Sequence, residues 1–167
     1  DRDGVINKEV NYLFKISDFK FIDGIFDALI NFQKLDYQII IITNQSGIAR
    51  KYYKEKDYQI LTKWMLGQFQ EQGIKILDIF HCPHDPNSSC DCRKPKPGMI
   101  EKAKDIYDID IKNSWMIGDK EVDISAANAG GIENTILVRS GHLIDERNSK
   151  AKFFLDSIKQ AKEVINQ

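Results

Sequence analysis

Asp1-Arg2-Asp3-Gly4 places two carboxylates on alternate residues ahead of a glycine that permits a tight turn. A second polar constellation, Thr43-Asn44-Gln45-Ser46-Gly47, ends an apolar run and offers a hydroxyl, amides and a pliant backbone whose N–H groups can wrap an anion. A third, Gly118-Asp119-Lys120, follows Trp115-Met116-Ile117 and continues to Asp123. Between these two lies Arg93-Lys94-Pro95-Lys96-Pro97, whose cations are stiffened by prolines. Carboxylates from separate segments can share one hard cation such as Mg²⁺, while a hydroxyl, backbone amides and a lysine can bind phosphate oxygens. Each piece alone has a plainer reading. Asp-x-Asp-Gly is a common turn or calcium-loop sequence, Thr-Asn-Gln-Ser-Gly an ordinary polar loop, Gly-Asp a turn after a strand, and the basic run a solvated loop. Their order, each after its own stretch of ordered chain, favours the chemical reading.

All three cysteines, Cys82, Cys90 and Cys92, fall between residues 82 and 92, and His84 lies among them. Three thiols cannot pair off, and four soft or borderline ligands in one loop suit a closed, structural tetrahedral zinc site. The spacing is not that of a standard finger, so three reduced surface thiols with a loop histidine stand as the competing reading. His81 reads as a strand-end side chain and His142 as a loop residue.

The elements that must position these groups show in the hydrophobic pattern. Residues 38–43 read Q-I-I-I-I-T, a continuous β-branched run of the kind found in a strand buried on both faces, and shorter runs follow at 76–82, 115–117 and 135–138. Helical patterns separate them at 24–35, 55–72, 97–107 and 122–129, with a last one at 157–165. Strands alternating with helices predict an α/β fold, a parallel sheet covered on both faces, whose ligands bind at the carboxyl ends of the strands. The first acidic motif resembles the loop after a strand, so a short apolar strand is expected upstream of Asp1.

Composition narrows the partners. The chain has 167 residues, 42% of them hydrophobic, enough to build one domain over residues 1–167 with a core that needs no cross-links. Lys and Arg number 24 against 25 Asp and Glu, so no basic field exists to bind nucleic acid. No apolar run is long enough to span a membrane and the first residues lack the pattern of a signal peptide. A cytoplasmic protein is expected, and a monomer, since no apolar helix face is left unexplained.

The four motifs together resemble the haloacid dehalogenase superfamily of phosphotransferases, whose signature is Asp-x-Asp-Gly, a Thr or Ser after the second strand, a lysine, and Gly-Asp-x3-Asp. Within it, D-R-D-G-V-I-N, T-N-Q-S-G-I-A-R, C-P-H, C-D-C-R-K-P-K-P-G-M and M-I-G-D-K look like the D-glycero-D-manno-heptose 1,7-bisphosphate 7-phosphatase family, from Asp1 to about Gly141. The resemblance implies a three-layer sandwich with a mainly parallel Rossmann-like sheet, no large cap domain, and a zinc-stabilised loop in the cap's place. It implies that Asp1 is the nucleophile that forms an aspartyl-phosphate and that Asp3 is first the general acid and then the base that activates water. Mg²⁺ would be held by Asp1, the backbone carbonyl of Asp3, and Asp119. Thr43, Asn44 and Lys94 would bind the transferring phosphoryl group, Asp123 would orient the site, and Gln45, Ser46, Arg93 and Lys120 would contact substrate. Cys82, His84, Cys90 and Cys92 would bind structural Zn²⁺, holding Arg93 for a second phosphate. The stretch 9–12 corresponds to a substrate-facing segment of the family but departs from it in its side chains, and Lys51-Tyr52-Tyr53 replaces a glycine-containing turn, its tyrosines either lining the mouth of the site or, the favoured reading, covering the sheet.

The implied activity is removal of the C7 phosphate from a heptose bisphosphate, in the biosynthesis of nucleotide-activated heptose for lipopolysaccharide or other surface glycans. Histidinol-phosphate phosphatases share the Asp-x-Asp, the zinc loop and Arg-Lys-Pro, but usually carry an acidic residue at the position of Ser46. A DNA-end 3′-phosphatase would need a basic stripe that is missing. A silent zinc-stabilised module that binds phosphorylated ligands is the reading from another class. It gains nothing from three converging carboxylates without a metal.

Overall fold

The computed structural model describes residues 1–165. Four strands alternate with helices, and a fifth follows the fourth without one. Helix α1 (Ile25–Lys34) buries Ile25, Ala28, Leu29 and Phe32, one face at helical spacing. It leads to strand β1 (Ile39–Asn44), helix α2 (Glu55–Glu71) and strand β2 (Ile76–Cys82). In α2 the buried positions are Tyr58, Leu61, Met65 and Phe69, while Glu55 and Asp57 in the first turn suit the positive end of the helix dipole. Helix α3 (Gly98–Ile106), strand β3 (Trp115–Gly118), helix α4 (Glu121–Ala129) and strand β4 (Asn134–Val138) complete the alternation. A short strand β5 (Phe153–Leu155) and helix α5 (Ala161–Ile165) close the described chain.

All strand pairings are parallel, but they form two small sheets, β1-β2 and β3-β4-β5, instead of the one predicted. An apolar groove of about 580 Å³ separates β1 from β3 and is lined by Ile39 to Ile42 on one side and Trp115 to Ile117 on the other. Asp1 sits at its rim, its backbone nitrogen 2.8 Å from the Ile117 carbonyl. This groove leaves Ile39 and Ile40 half-buried, where the sequence pattern predicts burial on both faces. Two hydrophobic clusters cover the sheets. The larger joins α1, α2 and α5 through residues such as Phe32, Phe69 and Ile165, and the smaller joins α3 and α4 through Met99, Ile100 and Ala126. No cap domain is inserted, and no described helix is long and apolar enough to cross a membrane.

Candidate active site

The carboxyl ends of β1 and β3 deliver their polar residues to one place, together with the turn after Asp1. That turn is wound on Arg2, whose carbonyl accepts from the amides of Val5, Ile6 and Asn7 at 2.8–3.3 Å. Gly4 has φ +84°, and a Cβ there would come within 2.3 Å of the Asp119 carboxylate. Glycine is therefore required both by the backbone and by the close approach of Asp119. The Ser140 hydroxyl donates to the Gly4 carbonyl at 2.6 Å and fastens the turn to the loop after β4.

Asp1, Asp119 and Asp123 bring carboxylate oxygens within 4.8 Å of one another. Lys94 lies among them, 3% exposed, with its ammonium 2.9 Å from Asp1 Oδ1 and 2.6 Å from Asp123 Oδ1, and it donates to the Ile42 carbonyl at 3.1 Å. Asp1 Oδ1 also accepts from the Arg2 amide at 2.7 Å. Asp123 accepts from the Lys120 amide at 3.0 Å, which caps α4. Burial acts to raise the Asp123 pKa, but Lys94 and the other positive and hydrogen-bonding neighbours together hold the carboxyl below its ordinary value. Asp119 is the reverse: it is fully buried, and burial, with Asp123 nearby, lifts its carboxyl above the ordinary value although His142 donates to it.

The Asp3 carboxylate is held by a separate set of donors. Its Oδ1 accepts from Arg2 at 2.6 and 3.1 Å and from the Asn7 amide at 3.0 Å, and its Oδ2 accepts from the Gln45 amide at 3.0 Å. Burial works to raise the Asp3 pKa, yet the Arg2 charge and these donors prevail and hold it below the usual carboxylate value.

A divalent cation fits this arrangement on two grounds. Four carboxylates, of Asp1, Asp3, Asp119 and Asp123, crowd around the side-chain cations of Arg2 and Lys94, an excess of negative groups that a cation would offset. Asp119 Oδ1 is buried without a hydrogen-bond partner, while its Oδ2 accepts from His142 Nδ1 at 2.6 Å. A hard cation would satisfy the orphaned oxygen.

The residues of the second motif take different places. Thr43 is 1% exposed at the end of β1, its hydroxyl oxygen accepting from the Gln45 amide at 2.9 Å. Asn44 exchanges two hydrogen bonds of 3.1 Å with the backbone of Lys94, so its amide fastens the Arg93-Lys94 loop. Gln45 is 3% exposed and spends its side chain on Asp3, Thr43 and Tyr53. Both side chains make contacts within the protein that position Asp3, Thr43 and the Lys94 backbone. Ser46 is half-buried and Lys120 exposed beside a cavity of about 390 Å³ lined also by Asp119 and His142. One guanidinium nitrogen of Arg93 is buried without a partner, which an anion would supply.

The sulfur and nitrogen atoms of Cys82, His84, Cys90 and Cys92 lie within 4.8 Å of one another. Cys82 and Cys90 sulfurs are 3.7 Å apart, and Cys82 sulfur is 3.5 Å from His84 Nδ1. Zn–S bonds of about 2.3 Å and Zn–N bonds of about 2.0–2.1 Å in a tetrahedron give edges of about 3.8 and 3.5 Å. The Cys82–Cys92 separation of 2.9 Å is tighter than such an edge. A hydrogen bond from Ser88 lowers the Cys90 thiol to about 6, whereas burial pushes Cys82 up to about 12. The set fits a zinc ion in donor type and number. His81 stays outside it, paired with Glu55 at 3.0 Å.

Four contributors escaped the sequence reading. His142 contacts Asp119, Glu9 joins that pair within 4.8 Å, Arg2 anchors Asp3, and Tyr53 donates to Gln45. Tyr53 is buried at the site instead of covering the sheet, and Tyr52 is exposed, its ring 4.4 Å from that of Tyr12.

Comparison with known proteins gives the arrangement its relatives. The family model described as HAD-hydrolase-like matches residues 91–161. The chain is 52% identical over 158 residues to the D-glycero-alpha-D-manno-heptose-1,7-bisphosphate 7-phosphatase of Photorhabdus laumondii, covering 90% of this chain and 86% of that one. It is 48% identical to the enzyme of the same name from Campylobacter jejuni, over 99% and 91% of the two chains. The D-glycero-beta-D-manno-heptose-1,7-bisphosphate 7-phosphatase of Vibrio cholerae is 44% identical, over 95% and 90%. Among solved structures, the D,D-heptose 1,7-bisphosphate phosphatase of B. bronchiseptica, complexed with magnesium and phosphate, superposes with a TM-score of 0.86 at 27% identity, over 99% and 95% of the chains. With identities this high along nearly its whole length, the chain belongs to the D-glycero-D-manno-heptose 1,7-bisphosphate 7-phosphatase family of the haloacid dehalogenase superfamily.

Proposed function

We propose that the chain is a Mg²⁺-dependent phosphatase that removes the C7 phosphate of D-glycero-D-manno-heptose 1,7-bisphosphate through an aspartyl-phosphate, in the biosynthesis of nucleotide-activated heptose. The observation that carries this is the buried carboxylate cluster of Asp1, Asp119 and Asp123, short of positive charge and holding the unpartnered oxygen of Asp119. Asp1, the backbone carbonyl of Asp3 and Asp119 would hold the ion, which when bound offsets the repulsion between a carboxylate and a phosphate dianion. Asp1 Oδ1 is occupied by Lys94 and the Arg2 amide, which leaves Oδ2 to bond to phosphorus as the phosphorus–O7 bond breaks. Asp3 gives its proton to the departing O7 and then takes one from the water that cleaves the acyl phosphate. The donors around Asp3 favour its ionised form in the free protein, and an arriving dianion raises its proton affinity by like-charge repulsion. Thr43 and Lys94 face the transferring oxygens, with Asn44 and Asp123 fixing Lys94 in place.

Arg93, with its unpaired guanidinium nitrogen, takes the second phosphate, and Ser46 and Lys120 face the sugar. Zinc on Cys82, His84, Cys90 and Cys92 is structural and fixes the residue before Arg93. We read residues 1–167 as one domain acting as a monomer, without nucleic acid or membrane; mixed charges and scattered exposed apolar side chains support this. The α anomer is favoured, because within Photorhabdus laumondii the chain is 52% identical to the alpha enzyme and 40% to the beta enzyme.

The test is phosphate release in Mg²⁺ from both anomers of the bisphosphate and from histidinol phosphate. A higher kcat/KM for the α bisphosphate is expected. Preference for histidinol phosphate overturns the substrate, and no turnover of any of them overturns the activity.

A further inference from the structure

Tyr53 lies between β1 and α2, is 5% exposed, and donates its hydroxyl proton to Gln45 Oε1 at 2.6 Å. A side-chain amide can be turned either way, and which end faces the site decides what its neighbours can do. With Oε1 accepting from Tyr53 on one side and the Asp3 carboxylate able only to accept on the other, the Gln45 NH2 points inward and donates to Asp3 Oδ2 at 3.0 Å and to Thr43 Oγ1 at 2.9 Å. Both amide protons are then used. Thr43, having accepted, keeps its own O–H free to donate toward a phosphoryl oxygen, and Asp3 has one carboxylate oxygen fixed in direction.

The ring is seated to deliver this bond. Phe14 stacks on it with centroids 5.4 Å apart and an interplanar angle of 16°. A Cβ at position 47 would come within 2.2 Å of the ring, so the place exists because residue 47 is glycine. Burial raises the Tyr53 hydroxyl above its ordinary value, and it stays a donor through the working pH range.

We propose that Tyr53 is a positioning residue for phosphoryl transfer: it fixes the orientation of the Gln45 amide, which in turn makes Thr43 a donor and aims the Asp3 carboxylate. The proposal rests on the phosphatase reading above. It concerns the reacting groups and not the grip on the sugar, so it predicts a loss in kcat with KM nearly constant.

The experiment is a double-mutant cycle on the full natural chain, read as kcat and KM for heptose 1,7-bisphosphate in saturating Mg²⁺. Tyr53→Phe keeps the ring and its stacking and removes only the hydroxyl. It is expected to lower kcat about tenfold and to change KM less than about twofold. Gln45→Leu is expected to lower kcat at least as much, and adding Tyr53→Phe to it should change kcat by less than about twofold. Equal losses from Tyr53→Phe in both backgrounds would mark a merely structural role and overturn the proposal. Wild-type kcat in Gln45→Leu overturns it too, however Tyr53→Phe folds. If the unmodified protein turns over and Tyr53→Phe matches it, this proposal alone falls; if the unmodified protein releases no phosphate, the phosphatase reading falls and takes the proposal with it.

Discussion

Lys94 carries more of the site's electrostatics than any other single side chain. Its ammonium, almost without solvent, stands 2.9 Å from Asp1 and 2.6 Å from Asp123. Lys94→Met would leave those two carboxylates buried and facing each other, and breaking a buried pair by removing one partner costs about 3–5 kcal/mol. Urea unfolding of the metal-free protein should show a loss of that size. Asp1→Asn is nearly isosteric and should behave differently: phosphate release falls to background while the circular dichroism spectrum is unchanged. Appreciable turnover by that variant would remove Asp1 from the nucleophile's role. Thr43 and Asp119 stood out in the sequence because each closes an apolar run, whereas Asp1, Asp3 and Lys94 stood out through the motifs they belong to. Arg2, Tyr53 and His142 did not. Their function lies in partners that folding supplies, such as Asp119 for His142, 23 residues away in sequence, and no local pattern marks such a pairing.

At the scale of elements, runs of β-branched residues and helical spacing located β1 to β4 and α1 to α4 within a residue or two of their observed ends. Strand β5 has only three residues, all half-buried, and so has too little pattern to declare itself. The loop of residues 82–92 behaves as an element through its ligands instead of hydrogen-bonded repeats. Cys90→Ser is expected to lower bound zinc, measured by atomic absorption, from one equivalent toward zero. It should raise KM for the bisphosphate by about tenfold or more, in keeping with the loss of a charge-assisted contact by Arg93. Unchanged zinc content and KM would dissociate the loop from Arg93.

For the molecule as a whole, the site is a reservoir of unfavourable charge. Asp3 and Asp123 have depressed pKa values, so the stability they contribute is full above 3.8 and drains away as pH falls through their lower folded values. Asp119, raised above 3.8, works oppositely: its ionised form costs stability at neutral pH, and that cost is relieved when the group is protonated. A bound cation relieves it as well. Mg²⁺ at a hundred times its Kd should stabilise the protein by about 2.7 kcal/mol, seen as a rise in Tm at pH 7. In Asp119→Asn the metal-free protein should melt higher than the unmodified one, and the rise with Mg²⁺ should vanish. A lower Tm for that variant would show that the Asp119 charge is already compensated.

The paired hydrogen bonds between Asn44 and the backbone of Lys94 separate two functions that adjoin in sequence. Lys94 is tied to β1 whatever the cysteine loop does, while Arg93, one residue earlier, depends on that loop for its position. A duplicated gene could therefore reshape residues 84–91 and drift toward new phosphate esters while its hydrolytic chemistry persisted, so that divergence of substrate range should concentrate on the amino-terminal side of that latch.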